Sequence, residues 1–125
     1  MRLVLDAGAF IAVERGDFET LTLIENSRKR RVQIVTVSPV VAQVWRDGRK
    51  QVTLARLLAG VHVFAPTDEA AKRAGVLLRR TKMSDAVDAL VADLCRVEDV
   101  LLTSDAGDLK ALTEANNSIP RIVAV

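Results

Sequence analysis

Aromatic residues are nearly missing from this chain. There is no tyrosine, and three phenylalanines and one tryptophan bring the aromatic share to only 3%. That scarcity nearly excludes base-stacking platforms of the RRM or OB type, so any nucleic acid must be held through its phosphates. The single cysteine, Cys95, excludes an internal disulfide. It follows the apolar stretch Ala89–Leu94, where a packed thiol is expected, and it suits a reducing cytoplasm. The single histidine, His62, leaves no cluster for zinc, and its place in a predicted strand reads as structural. No run approaches the roughly 20 apolar residues of a membrane helix. Asp6 interrupts Leu3-Val4-Leu5 almost at once, so a signal peptide is not expected. A large charge of one sign is lacking as well. With 18 basic and 16 acidic residues the formal charge is +2, too mild to announce nucleic-acid binding.

What is present is a chain of 125 residues, half of them hydrophobic. That length suits one domain over residues 1–125, and such a chain buries roughly two thirds of its unfolded surface. Short apolar segments read as strands at Arg2–Leu5, Val32–Val37, Val61–Phe64, Val100–Leu102 and Ile122–Val125. Helices are predicted between them. The first covers Ala9–Glu14 and is stopped by Gly16; the second is capped by Asp17 and runs to Asn26, with Leu21, Leu23 and Ile24 inward. Ser38-Pro39 opens a third, with Val40, Val41, Val44 and Trp45 inward. Others span Gln51–Ala59, Glu69–Arg80 after a Thr67 or Asp68 cap, a stretch to Arg96 after a Ser84 or Asp85 cap, and Asp108–Glu114. Alternation of this kind, with near-continuous apolar strands, implies an α/β fold in which helices cover both faces of a parallel sheet. Ligands in such sheets bind at the carboxyl ends of the strands, near the point where strand order reverses.

Two predicted strands end on an aspartate at that edge, Asp6 and Asp105. Asp85 and Asp88 stand three residues apart at a helix start and share one face, and Asp108 lies three residues beyond Asp105. Asp85, Asp88 and Asp108 also sit where capping or helix-dipole roles are common. A carboxylate at the tip of a buried strand is harder to dismiss, because it needs a partner. Five carboxylates converging on one edge repel one another unless a cation neutralises them, and hard oxygen donors suit Mg²⁺ or Mn²⁺.

Three segments resemble the motifs of the PIN-domain family, in family order: Val4-Leu5-Asp6-Ala7-Gly8-Ala9-Phe10, Ser84-Asp85-Ala86-Val87-Asp88-Ala89-Leu90, and Leu101-Leu102-Thr103-Ser104-Asp105-Ala106-Gly107-Asp108. The segment Thr36–Arg46 fills the second motif's place, and at this length the chain most resembles VapC-type ribonuclease toxins. The resemblance implies a three-layer α/β/α sandwich with a five-stranded parallel sheet. It implies an Mg²⁺- or Mn²⁺-dependent endoribonuclease acting as the toxin of a type II toxin–antitoxin pair in the cytoplasm. Carried over by position, the catalytic and metal acids are Asp6, Asp88 and Asp105, with Asp108 and Asp85 supporting. A receiver domain would need a second acid where Ala7 stands, and a haloacid-dehalogenase-type phosphatase an aspartate where Gly8 stands.

Gln43 departs from the pattern, since the family usually places glutamate there. The amide keeps the size and one acceptor oxygen but loses the charge. Asp85 is a candidate to restore it; the other reading of Gln43 is a catalytically degenerate PIN module that binds RNA or a protein. RNA-binding candidates are Arg46, Arg49 and Lys50 after the Gln43 helix, and Arg79, Arg80 and Lys82 before Asp85. The run Arg28–Arg31 is read first as a favourable helix C-terminus. The resemblance further implies a cognate small antitoxin, with Phe10, Ile11, Phe18 and Leu21 either lining its groove or belonging to the core, and a homodimer.

Overall fold

The computed structural model describes residues 1–125. Strand β1 (Arg2–Leu5) is buried along its whole length and leads directly into α1 (Ala7–Glu14). The helix starts two residues before the sequence suggests because Asp6 itself is the N-cap, accepting a hydrogen bond from the Ala7 amide. Gly16, at φ 74°, turns the chain into α2 (Phe18–Lys29), which Asp17 caps through the Thr20 amide. The inward face of α2 is Thr20 and Ile24, with Leu23 half-buried; Leu21 is exposed, against expectation, because Thr20 takes the buried position of the first turn.

Strand β2 (Gln33–Val37) passes without a gap into α3 (Ser38–Val44), where Pro39 sits in the first turn. Val40 and Val44 are buried, Val41 is partly so, and Trp45 is exposed rather than inward. The last turn of α3 ends there, and the indole lies instead over Gly48, where an added Cβ would come within 2.6 Å of the ring. Helix α4 (Val52–Ala59) leads to the short edge strand β3 (His62–Phe64). His62 is exposed and tilts against Phe64 with ring centroids 4.2 Å apart. Helix α5 (Asp68–Thr81), capped by Thr67, ends at Lys82 in the left-handed conformation. The chain then enters α6 (Ala86–Leu94), capped by Asp85; β4 (Val100–Thr103), α7 (Ala106–Ala115) and β5 (Arg121–Ala124) complete it.

All pairings are parallel and the strand order is β3-β2-β1-β4-β5. The chain therefore builds outward from β1 to β3, then returns to the other side of β1 for β4. Helix α1 packs with α2, α3 and α4, while α5, α6 and α7 pack with one another, giving a sandwich around the sheet. The core is one apolar cluster in which Leu3, Val4, Leu5, Phe10 and Leu101 are sealed from solvent. Phe10 is thus a core residue, whereas Ile11, Phe18 and Leu21 are exposed. Cys95 is buried, and burial pushes its thiol up to about 12, so it is a packing group and not a nucleophile.

At the amino ends of the strands Arg2 and Asp99 form a buried pair at 2.7 Å. Asp99 also receives the backbone amides of Arg2 and Arg96. Burial alone would raise this carboxyl, yet the Arg2 guanidinium and those amides outweigh it and hold Asp99 below its ordinary value. This pair closes the sheet edge opposite the aspartates.

Candidate metal centre

The register of the central strands sets the site. Leu5 pairs with Leu102, so the next residues, Asp6 and Thr103, emerge side by side where strand order reverses. The Asp6 amide donates to the Leu102 carbonyl at 3.0 Å, and the Thr103 hydroxyl donates to Asp6 Oδ2 at 2.8 Å. The other oxygen, Oδ1, receives the Ala7 amide at 2.8 Å. Asp6 is thereby held in one orientation although it is almost wholly buried. Burial pushes its carboxyl above the ordinary range, with Asp105 and Asp85 adding to the rise and the hydrogen bonds from Thr103 and Ala7 opposing it.

Helix α1 can approach β4 this closely only because residue 8 is glycine. A Cβ there would lie 2.5 Å from Ser104 Oγ and 2.8 Å from the Ser104 amide nitrogen. Asp105 follows at once, its own amide donating to the Thr103 hydroxyl at 2.9 Å. Thr103 thus ties Asp6 and Asp105 together through one oxygen.

Asp88 comes from the first turn of α6 and is also buried. Ligand oxygens of Asp6, Asp88 and Asp105 all lie within 4.8 Å of one another. Asp88 is pushed up to about 7, first by burial and then by the charges of Asp6, Asp85, Asp105 and Asp108. Every acid singled out in the sequence is therefore near enough to act on Asp88. None belongs to the ion pairs of the protein, which join Arg2 to Asp99, Lys72 to Asp68 and Arg73 to Asp93. Uncompensated carboxylates so close together, all offering hard oxygen, suit a divalent cation such as Mg²⁺ or Mn²⁺.

A family model described as the PIN domain matches residues 3–114. The chain belongs to the PIN domain family. The fold of this PIN domain matches the crystal structure of VapBC2 from Rickettsia felis bound to a DNA fragment from their promoter, with a TM-score of 0.69. That match covers 100% of this chain and 98% of the other at 14% identity, a level at which the likeness speaks for the fold. No curated protein matches the sequence.

The other candidates fall at different distances in this PIN domain. Asp85 caps α6, its Oδ1 receiving the amides of Val87 and Asp88. Asp108 is exposed in the first turn of α7, and with Asp85 and Asp88 it lines a cavity of about 200 Å³. Gln43 is exposed near the C-terminal end of α3. The loop carrying Arg46, Arg49 and Lys50 is held by Gln51, whose side chain receives the amides of Arg46 and Asp47 and donates to the Val44 carbonyl and to Glu14. Glu14 ends α1, whose other end is Asp6. An eight-residue helix spans about 12 Å, so this basic loop sits a helix length from the acids. Arg79 and Arg80 close α5, and only Met83 and Ser84 separate Lys82 from Asp85. Arg28 reaches the Leu57 carbonyl and lies against Gly60, consistent with a packing role. Gly8 and Thr103 were not singled out as site residues in the sequence, and of the two cap candidates Ser84 and Asp85 it is Asp85 that caps α6. Thr103 and Gly8 stand inside the quoted motifs, but their roles depend on which strand lies beside β1.

Proposed function

We propose that this protein is a metal-dependent endoribonuclease that acts as the toxin of a type II toxin–antitoxin pair in the cytoplasm. The observation that carries this reading is the meeting of Asp6, Asp88 and Asp105 oxygens within 4.8 Å at the carboxyl edge of the sheet. These three residues would hold Mg²⁺ or Mn²⁺, with Asp85 and Asp108 adding negative charge. Such an ion orients a scissile phosphate, makes bound water more acidic and neutralises charge growing on phosphate oxygens. The chain's part is positioning. Thr103 and the Ala7 amide keep both Asp6 oxygens from rotating, and the same hydroxyl anchors the Asp105 backbone. No side-chain nucleophile is needed, in keeping with a buried Cys95 and a His62 on the edge strand.

RNA is the substrate in this reading, held by its phosphates. Arg79, Arg80 and Lys82 are the favoured contacts because their segment runs straight into Ser84 and Asp85. Arg46, Arg49 and Lys50 would touch the strand only farther along. An antitoxin segment lying on the exposed Ile11, Phe18 and Leu21, and offering an arginine to the carboxylates, is the matching inhibitor. Homodimerisation belongs to the same reading. Two cavities share Leu23 and Val123 in their linings: one, the basic end, also holds Arg30 and Arg121, and the other, the acidic end, Asp17 and Glu19. A two-fold copy would set the basic end against the acidic end.

Gln43 favours a second reading, a catalytically degenerate PIN module that binds RNA or a protein, because it removes one acidic group. One experiment separates the two. Purified, antitoxin-free protein is incubated with structured RNAs and Mg²⁺ or Mn²⁺, with EDTA controls and with Asp6→Asn and Asp88→Asn alongside. Cleavage that requires metal and vanishes in both variants supports the nuclease. Folded protein that neither cuts RNA nor binds Mn²⁺ by calorimetry ends the catalytic reading and leaves the binding one.

A further inference from the structure

Trp45 is the only tryptophan of the chain, and it is 38% exposed on the loop of residues 45–51 between α3 and α4. A single exposed apolar side chain is ordinary. What sets this one apart is the loop beneath it. The indole rests against residue 48, which has to be glycine there: a Cβ would come within 2.6 Å of Cζ2 and 3.0 Å of Cη2. Gln51 fixes the backbone beside it. Its Oε1 accepts the amides of Arg46 at 2.7 Å and Asp47 at 2.9 Å, while its Nε2 donates to the Val44 carbonyl at 2.8 Å. The same nitrogen reaches Glu14 at 3.3 Å and ties the loop to α1. A loop held in this way is already ordered, so a ligand that docks on it is spared that cost.

The charge around the indole says what kind of ligand fits. Arg46, Arg49 and Lys50 are all exposed and stand outside every ion pair. Arg46 donates from Nη1 to the carbonyls of Ala42 and Trp45, which holds the guanidinium at the end of α3 and leaves its other two nitrogens unbonded. Asp47 is the one acid among these residues, and its Oδ1 receives the Arg49 amide. An aromatic ring among three cations matches a ligand with a flat π face and an anionic linker. A single-stranded nucleic acid is such a ligand, its base on the indole and its phosphates on the cations. A duplex keeps its bases stacked and presents no free face. A lone indole is not a sheet platform, but it is enough for one base.

We propose that Trp45, with Arg46, Arg49 and Lys50, forms a stacking step for one unpaired base of RNA, which makes the protein select single-stranded segments. This rests on the reading of RNA as the substrate. The loop is clamped to Glu14, at the end of α1 opposite Asp6. The base it holds therefore belongs to a nucleotide beyond the scissile phosphate and not to the reacting one.

Because Trp45 is the only tryptophan, its fluorescence reports this loop alone. The purified protein is titrated in EDTA, so that RNA is not cut, with a short single-stranded RNA and with the corresponding duplex. Anisotropy of an end-labelled RNA reads binding independently of the indole. Saturable quenching of Trp45 by the single strand is expected, with tighter binding than to the duplex. Trp45→Ala should weaken single-strand binding roughly 5- to 150-fold while circular dichroism stays native, and Trp45→Phe should recover most of it. RNA that binds without changing the fluorescence, or equally well to Trp45→Ala, overturns the stacking step. Metal-dependent cleavage by the same preparation then leaves the nuclease reading standing. A loss that phenylalanine does not recover, with a lowered melting temperature, marks a structural role and also overturns the step. So does emission that shifts with protein concentration and not with RNA, since a second copy then covers the ring. Folded protein that neither binds nor cuts RNA overturns both readings.

Discussion

The Thr103 hydroxyl donates to Asp6 Oδ2 at 2.8 Å, from the adjacent strand and 97 residues away in the chain. The same oxygen receives the Asp105 amide at 2.9 Å. Replacing Thr103 by valine keeps the shape but removes both bonds. Groups that orient a metal-binding residue typically contribute roughly 10- to 100-fold in affinity. Thr103→Val should weaken Mn²⁺ binding by that factor in calorimetry while the circular dichroism spectrum stays native. Unchanged affinity would mean that Asp6 needs no such anchor.

Gly8→Ala tests the close approach of α1 to β4. The new Cβ would sit 2.8 Å from the Ser104 amide, a backbone atom that cannot swing aside. Overpacking of this kind costs about 1–3 kcal/mol. We expect the variant to melt at a lower temperature and to bind Mn²⁺ more weakly, because Asp6 and Asp105 flank the clash. A native melting temperature with native affinity would show that the helix shifts freely.

Asp88 links stability to pH. Its carboxyl is raised from 3.8 to about 7 by burial first and then by its acidic neighbours, so folding favours the protonated form. That contribution is fully present below pH 3.8 and is lost as pH rises through about 7. In EDTA the melting temperature should therefore fall between roughly pH 5 and 7, the upper part of this window. Asp88→Asn should flatten that fall and melt higher at pH 8, and saturating Mn²⁺ should restore the parent there. A parent whose melting temperature is level across the range would refute the assignment.

At the other edge, removing one partner of the buried Arg2–Asp99 pair leaves an uncompensated charge. Breaking such a pair costs about 3–5 kcal/mol. Asp99→Ala should unfold at a clearly lower urea concentration. Because Asp99 is held below its ordinary value, its contribution is present above pH 3.8 and lost as pH falls further, so the variant's deficit should shrink in acid. Mn²⁺ affinity measured under folding conditions should not change, since this pair lies at the amino ends of the strands.

Much was legible along the chain. The apolar segments before Asp6 and Asp105 mark buried strands, and the three-residue spacing of Asp85 and Asp88 puts them on one helical turn. Those are local relations, governed by strand and helix geometry. Leu21 and Trp45 misled because an apolar residue near the end of a helix has no obligation to face inward; Thr20 and the backbone at Gly48 took those contacts. The basic segments looked alike in sequence, yet the Gln51 clamp ties one of them to the far end of α1.

The sequence by itself determined which residues are acidic, that they stand at strand tips and helix starts, and that the chain alternates into an α/β fold. Tertiary structure alone decided that β4 returns beside β1 in the register Leu5 to Leu102. From that register follow the Thr103 bridge, the need for Gly8 and the division of five carboxylates between a triad and a neighbouring cavity. The reason is one of range. Backbone geometry sets distances within a turn or a strand, whereas residues 97 apart meet only through the packing of the whole sheet.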